Sequence, residues 1–251
     1  MEAAPSKPPA TAGLDVLTAG AKELGYELST EQIDQFRRYL AGLVQWSGRA
    51  NLTSRAALAD AERVLFLDSL AVVPIVQREQ PKAGRLIDVG SGAGFPGLVL
   101  KLLLPELHVV LLEATRKKAE FLRWMVGALG VERVEVLAER AEVAGRRAEL
   151  RGTFDVATAR ALGPLPVVLE LSLPFCKVGG TLIAPRGIGA AEEAEHAASV
   201  AGQLGGRIAG VETPSAGGLA ERTAMVVIEK VRVTPERFPR HNGIPAKRPL
   251  S

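Results

Sequence analysis

The first 80 residues carry apolar side chains at a helical period and show no strand pattern. Ser29 and Gln32 have the spacing of a capping box, and apolar residues then recur every three or four positions, which is typical of an amphipathic helix. We therefore predict a helical N-terminal cap over residues 14–83, preceded by a disordered tail rich in Ala and Pro over residues 1–13. Helices in the cap are predicted over residues 14–24 and 30–46, and over a segment that ends before Pro74.

After Gly84 the pattern changes to short β-rich runs that alternate with helical segments. This alternation predicts a mainly parallel sheet covered by helices on both faces. The last two apolar runs have no helix between them, so they predict an antiparallel hairpin at the sheet edge. Strands are predicted near residues 85–89, 108–112, 133–137, 154–159 and 180–184, and helices near residues 96–104, 116–129, 165–175 and 190–204.

The order of these elements bears on the ligand that the fold takes. A nicotinamide-binding fold repeats two βαβαβ halves. One glycine-rich half followed by βαβ units and a terminal antiparallel pair is instead the usual order of S-adenosylmethionine-dependent methyltransferases. We therefore predict an α/β, Rossmann-like class I methyltransferase domain over residues 84–231, followed by a basic C-terminal tail over residues 232–251.

The turn after the first predicted strand contains Gly92, Gly94 and Gly97 in a literal G-x-G-x-x-G pattern, the fingerprint of dinucleotide sites. Asp88 stands two residues before Gly90, at the end of the strand. A carboxylate there would attract the ammonium of S-adenosylmethionine, directly or through water, and would repel a pyrophosphate. We predict that Asp88 and the loop glycines 90, 92 and 94 hold the methionine end of this cofactor. A nicotinamide oxidoreductase is the alternative.

Two further segments follow the next strands at positions that suit the rest of the cofactor. Glu113 ends the second predicted strand about 20 residues beyond the loop, the spacing at which an acid binds ribose hydroxyls. Both candidate cofactors share that ribose, so Glu113 does not separate them. The backbone of Ala141 and Glu142, after the third strand, would read the adenine edge; an ordinary charged loop is the alternative there.

The end of the fourth predicted strand faces the methyl acceptor in this topology. The segment Thr158–Ala161 lacks the Asp/Asn-Pro-Pro-aromatic pattern of enzymes that methylate exocyclic base amines. Cys176 lies in an apolar stretch, which favours a buried structural thiol over a nucleophile. Guanine N7 carries an in-plane lone pair and no proton, so its methylation needs placement and no general base. Arg160 would orient guanine through O6, bind a phosphate or contact the cofactor, and these roles stay open.

Composition excludes several other classes of protein. One cysteine and three scattered histidines cannot form a disulfide framework and make a dedicated metal site improbable, which fits a reducing cytoplasm. The longest apolar stretch is interrupted by Lys101, Pro105 and Glu106, so no span approaches the roughly 20 residues that a bilayer requires. The net charge is +3, and the C-terminal tail is strongly basic, which suits either a polyanionic partner or a solubilising tail.

Taken together, the motifs resemble a known family, the bacterial 16S ribosomal RNA guanine-N7 methyltransferases, also called glucose-inhibited division protein B. The resemblance covers roughly residues 30–250. One departure is Val64-Leu65, where many members have Arg-His. The motifs that carry the resemblance are NLTS at 51–54, LDSL at 67–70, IDVGSGAGFPG at 87–97, RKKAEFL at 116–122, ARA at 159–161 and the ending FPRHNGIPAKRPL.

The resemblance implies methyl transfer to N7 of one guanine in a 16S rRNA hairpin near the decoding site, with S-adenosylmethionine as cofactor and no metal. The substrate would be the RNA within the small ribosomal subunit or an assembly intermediate, and we expect a monomer. An assembly factor with a vestigial pocket is the alternative outside enzymes. The cofactor contacts that the resemblance implies fall on Gly90, Phe95, Glu113, Ala114, Thr115, Ala141, Glu142 and Arg160.

Basic residues are then candidates for RNA phosphates. We predict RNA contact at Arg116, Lys117, Lys118 and Arg123 on the helix after Glu113, and at Arg240, Lys247 and Arg248 in the tail. A solvated helix face is the alternative, and it is preferred for Arg146, Arg147 and Arg151. Because aromatic residues are scarce, stacking on long single strands is not expected.

Overall fold

The computed structural model describes residues 14–79, 84–214, 218–219 and 222–251. The predicted tail over residues 1–13 lies outside this part of the chain. In the N-terminal cap, every regular element of the described residues 14–79 is a helix. Its elements are α1 (Asp15–Glu23), α2 (Thr30–Trp46), α3 (Arg55–Ala59), a π-helix (Glu62–Leu67), α4 (Asp68–Leu70) and α5 (Val73–Glu79).

Helix α2 begins at the predicted capping box. Ser29 Oγ accepts a hydrogen bond from the backbone N–H of Gln32, and Gln32 Oε1 accepts one from the N–H of Ser29. A helical segment ends before Pro74 as predicted, because the π-helix runs directly into α4 and α4 ends at Leu70, but the sequence did not predict α5, which has Pro74 in its first turn. A first-turn proline loses an N–H that has no intrahelical partner, so proline can begin a helix as well as follow one.

The remaining elements form a seven-stranded sheet in the order β3-β2-β1-β4-β5-β7-β6, with helices between most of the strands. Strands β1 to β5 are parallel, and β7 pairs antiparallel with both β5 and β6. The strands are β1 (Arg85–Val89), β2 (His108–Leu112), β3 (Val134–Leu137), β4 (Phe154–Thr158), β5 (Cys176–Arg186), β6 (Gly206–Glu212) and β7 (Ala224–Lys230). The helices are α6 (Gly97–Leu103), α7 (Arg116–Leu129), α8 (Ala141–Ala144), α9 (Leu165–Ser172), α10 (Ala190–Gln203) and α11 (Ile244–Lys247).

The sheet topology agrees with the sequence prediction, including the terminal antiparallel pair. Strand β5 begins at Cys176, before the predicted run at 180–184, because adjacent glycines at 179 and 180 interrupt the apolar pattern on which the prediction depends. Strand β1 lies between β2 and β4. The chain adds β2 and β3 on one side of β1 and then crosses back to add β4 and β5 on the other side. Such a switch point opens a crevice at the carboxyl ends of the strands, which is where open α/β sheets bind ligands.

The cap shares its core with one face of the sheet. Leu86 on β1 belongs to the same buried cluster as Phe36, Tyr39 and Phe66 of the cap, whereas the next residue, Ile87, packs in the cluster under α9 and α10. This alternation follows from the twofold side-chain period of a strand. The cap is therefore packed directly on the layer that carries the glycine loop.

The C-terminal segment 232–251 folds against the sheet domain, and Phe238 is buried. The Arg151 guanidinium donates to the carbonyls of Thr234 (2.7 Å) and Phe238 (2.9 Å), and Arg146 donates to that of Arg237 (3.2 Å). A solvated face, the preferred interpretation of Arg146 and Arg151, is therefore wrong for the half-buried Arg151, whereas Arg146 is exposed to solvent and also bonds the C-terminal segment. Their partners are backbone carbonyls from a distant part of the chain, which no local charge pattern reveals.

Candidate cofactor and RNA site

The turn between β1 and α6 exposes bare backbone at its centre. Gly92 has φ +58°, and a Cβ placed there would meet only the carbonyl oxygen of Gly90, at 3.8 Å. At Gly94, with φ +96°, a Cβ would collide with the hydroxyl of Tyr39. The turn therefore needs glycine for its conformation at both positions, and it has open space on one side and the cap on the other.

Asp88 ends β1 with a fully buried carboxylate. Its Oδ2 accepts a hydrogen bond from the backbone N–H of Gly97 at 3.0 Å, at the beginning of α6, and its Oδ1 is buried without a partner. Burial raises the pKa of Asp88 to about 7, against the lowering effects of the Gly97 hydrogen bond and of the nearby Arg160 charge. The contact with the helix start was not predicted. A buried unpaired carboxylate oxygen is the feature that a cationic or hydrogen-bonding ligand group would satisfy.

Glu113 follows β2 and ties the second strand to the glycine turn. Its Oε2 accepts from the backbone N–H of Gly92 at 2.9 Å, and its Oε1 accepts from that of Thr115 at 2.6 Å. Each carboxylate oxygen has a second acceptor site, so ribose hydroxyls can still be bound. Ala114 and Thr115 lie exposed beside it. The carboxylate therefore fits a ribose contact, and it also stabilises the turn.

After β3, residues 138–140 form a short connection, and the helix α8 begins at Ala141. Glu142 is buried, and its Oε1 accepts a hydrogen bond from the backbone N–H of Gly243 at 2.8 Å. The carboxylate thus holds the C-terminal segment, whereas the proposed adenine contacts concern the backbone of Ala141 and Glu142. The sequence pattern contains no signal for this pairing across the chain.

Tyr39 of the cap contacts the glycine turn, and sequence reasoning missed it. Its hydroxyl donates to the carbonyl of Ala93 at 2.6 Å, and its ring stacks on Phe95 with 5.2 Å between centroids and an interplanar angle of 4°. The side chain is fully buried. A tyrosine on the apolar face of α2 must find a partner for its hydroxyl inside the protein, and that is the one signal that the sequence offered.

Arg160 follows β4 and lies largely buried beneath the cap. Its Nη1 donates to the carbonyl of Val64 at 3.1 Å, and its guanidinium lies over the ring of Phe95 at 5.2 Å. Burial lowers the pKa of Arg160, and the charges of Asp68 and Asp88 oppose that effect. Val64 is one of the two positions at which this chain departs from the Arg-His of many family members. Here it supplies a backbone carbonyl from the π-helix.

The predicted RNA-binding residues occupy different environments. Arg116 and Lys117 are exposed and Lys118 is half-buried at the start of α7, and Lys247 and Arg248 are exposed on the C-terminal segment. Arg123 donates to the carbonyl of Val136 at 3.2 Å. The guanidinium of Arg240 is bound to the fully buried carboxylate of Glu170, with contacts from 2.6 to 3.1 Å. Arg240 therefore serves to neutralise a buried carboxylate, and RNA contact at this residue stays a prediction.

A metal site, a cysteine nucleophile and a membrane-spanning helix are three further alternatives for the described part of the chain. No cluster of three or more His, Cys, Asp or Glu side chains suited to a metal ion occurs there. Burial raises the pKa of the Cys176 thiol to about 12, so it does not ionise readily as a nucleophile would. None of the helices in the described ranges has the length and hydropathy of a bilayer-spanning segment.

The carboxyl edge of the sheet thus brings together Asp88, the open glycine turn, Glu113 and Arg160. A family model described as GidB, rRNA small subunit methyltransferase G, matches residues 32–213 of this chain. This chain belongs to the rRNA small subunit methyltransferase G family. A member from Roseiflexus castenholzii, named ribosomal RNA small subunit methyltransferase G, is 45% identical over 240 residues, which cover 94% of this chain and 100% of the relative.

Solved structures with a similar fold include methyltransferases. A SAM-dependent methyltransferase from Aquifex aeolicus aligns with a TM-score of 0.51 and 18% identity, over 69% of this chain and 98% of that one. A variant of MtNAS in complex with S-adenosylmethionine aligns with a TM-score of 0.52 and 19% identity, over 87% and 78% of the two chains. The family resemblance and the class I methyltransferase fold predicted from the sequence are both confirmed.

Proposed function

We propose that this protein transfers the methyl group of S-adenosylmethionine to N7 of a guanine in 16S rRNA, in a hairpin near the decoding site. The observation that carries the proposal is the match over nearly the whole chain to a ribosomal RNA small subunit methyltransferase G. It is supported by the acids that flank the glycine turn, since Asp88 keeps one buried oxygen unpaired and Glu113 keeps acceptor capacity.

The residues at the carboxyl edge fit the cofactor group by group. Asp88 Oδ1 would accept from the ammonium, directly or through water, and the bare backbone around Gly92 would lie against the methionine portion. Glu113 would accept from the ribose hydroxyls, with Ala114 and Thr115 at the rim, and the backbone of Ala141 and Glu142 would contact adenine. Bound there, S-adenosylmethionine supplies an electrophilic methyl group on a sulfonium.

Arg160 is the residue that we propose to orient the acceptor. One of its nitrogens is bonded to the Val64 carbonyl, which leaves other N–H groups of the guanidinium for guanine O6, a phosphate or the cofactor. Guanine becomes cationic as N7 is methylated, so a nearby positive charge opposes the reaction. Asp68 and Asp88 lie close enough to Arg160 to counter its charge. No general base is required, because N7 carries no proton.

The proposed RNA-binding surface consists of Arg116, Lys117, Lys118 and Arg123 of α7 with Lys247 and Arg248 of the C-terminal segment. Arg116, Lys117 and Lys118 begin α7 shortly after the carboxyl end of β2, and the C-terminal segment is bonded to Glu142, which follows β3, through Gly243. We propose a cytoplasmic monomer that acts on the small ribosomal subunit or on an assembly intermediate.

The test is chemical cleavage of 16S rRNA from wild-type cells and from cells that lack this protein. Borohydride and aniline break the chain wherever guanine carries an N7 methyl group. We expect one break in wild-type rRNA that is absent from the deletion strain, and that purified protein with S-adenosylmethionine restores it. Identical cleavage in both strains would refute the proposal. Ribosome binding without methylation would indicate an assembly factor, and binding of NAD but not S-adenosylmethionine would indicate an oxidoreductase.

A further inference from the structure

A cavity of about 280 Å³ lies beside the proposed cofactor site, between the loop after α2 and the start of α7. On one side it is lined by residues 48–51, which include Arg49 and Asn51, and on the other by Thr115, Lys117 and Lys118. These two segments lie far apart in the sequence. The fold therefore places three cationic side chains around one concavity that has no carboxylate in its lining.

These cations have no carboxylate partner in the described ranges. Some other arginines of those ranges are paired with carboxylates, as Arg78 is with Glu212 and Arg133 with Glu106. Arg49, Lys117 and Lys118 form no ion pair with any residue of those ranges. Unpaired like charges around a concavity raise its positive potential, because low-dielectric walls focus the field. An anion in the cavity would relieve their mutual repulsion.

The loop that carries Arg49 is held in place by packing. Trp46, at the end of α2, contacts the rings of Phe121 and Trp124 on α7, with centroid distances of 5.7 and 5.8 Å. The guanidinium of Arg49 lies over the Trp46 ring at 5.8 Å, and the backbone N–H of Arg49 donates to the Trp46 carbonyl at 2.8 Å. The position of Arg49 relative to α7 is therefore set by the core, so the cavity is a formed feature of the fold.

We propose that this cavity binds a backbone phosphate of the RNA substrate. The inference rests on the proposed function. Thr115 lines the cavity, and its backbone N–H is bonded to Glu113, the proposed ribose ligand, so an anion in the cavity lies beside the proposed cofactor site. Arg49 and the lysines supply charge, the first turn of α7 adds its partial positive charge, and the unbonded amide of Asn51 supplies a donor.

The test is the affinity of full-length protein for unmodified 16S rRNA, measured over a series of salt concentrations. We compare wild type with Arg49→Gln, Lys117→Gln and the double variant. The control is Arg37→Gln, an exposed arginine in the middle of α2 that has no ion pair within the described ranges. Each cavity variant should raise the Kd about tenfold at low salt and reduce the slope of log K against log salt by about 1. The control should leave both quantities at the wild-type value.

Two further measurements distinguish a loss of phosphate binding from misfolding and from a failure of the proposed function. Thermal melting checks that each variant is folded, and Lys117→Gln tests the cavity without disturbing Trp46. Calorimetry with S-adenosylmethionine should give wild-type affinity for every variant, and its loss in parallel with RNA binding would overturn the inference. Unchanged salt slopes in the variants would also overturn the inference. So would variants that bind 16S rRNA normally but bind intact small subunits weakly, because that result would indicate an acidic protein partner. A wild-type protein that binds rRNA in this way without methylating it would refute the proposed function alone.

Discussion

Replacing Glu113 by alanine removes the connection between β2 and the glycine turn. The wild-type carboxylate accepts two backbone hydrogen bonds, from Gly92 and Thr115. Hydrogen bonds to a charged group contribute about 1.5–3 kcal/mol each, so the two together are worth roughly 3–6 kcal/mol, and water that enters the truncated site returns part of this. We therefore expect the free energy of unfolding to fall by about 3 kcal/mol.

The same substitution removes the proposed ribose contact. We expect the affinity for S-adenosylmethionine to fall by a further 1–3 kcal/mol, about fivefold to 150-fold in Kd. Urea unfolding measures the first quantity, and calorimetry on protein that is shown to be folded measures the second. Glu106→Ala serves as the control, because its exposed ion pair with Arg133 should contribute at most about 1 kcal/mol. Wild-type stability together with wild-type cofactor affinity in Glu113→Ala would refute the reasoning about this site.

Three other outcomes follow from buried groups. Tyr39→Phe keeps the ring but leaves the Ala93 carbonyl of the glycine turn unpaired, so the free energy of unfolding measured in urea should fall by about 1–2 kcal/mol. Calorimetry should show a weaker affinity for S-adenosylmethionine. Wild-type values of both quantities would show that the hydroxyl does not position the turn. Because the folded-state pKa of Asp88 is raised to about 7, its neutral form favours folding at low pH and that stability is lost as pH rises from about 4 to 7. Wild type should therefore lose more stability over that range than Asp88→Asn, and its cofactor affinity should increase as pH passes 7; matching pH profiles for the two proteins would contradict this assignment. Arg240→Ala leaves the buried Glu170 carboxylate without its partner and should lower the free energy of unfolding by about 3–5 kcal/mol. Lys247→Ala should weaken rRNA binding in filter assays and leave the stability unchanged. The reverse pattern would indicate that Arg240 binds RNA.

The residues of the candidate site show how far local patterns reach. Asp88 and Glu113 were found because each ends a strand at a set distance from a glycine turn, and parallel strands end at the same edge of the sheet. Their hydrogen bonds to Gly97 and Gly92 were not foreseen. Those bonds depend on where the side chains point after the turn has folded, and no spacing rule contains that information.

The basic residues show the opposite limit. Arg146, Arg151 and Arg240 look like any solvated cation in the sequence, and in the structure each is bound to a partner more than 60 positions away. The sequence gives the number of cations in a segment. It does not show which of them will bind a buried carboxylate or a backbone carbonyl in the folded protein.

The sequence by itself determined the helical cap, the alternation of strands and helices, the terminal hairpin and the position of the glycine turn, because hydrophobic period, capping and turn chemistry act between residues close along the chain. Only the tertiary structure decided that Tyr39 braces the glycine turn, that Arg160 is held by the carbonyl of Val64, and that Arg49 and Lys117 share a cavity. Those contacts join segments that come together only when the cap packs on the sheet, because side-chain burial and hydrogen-bond satisfaction are settled over the whole core and not within any one element.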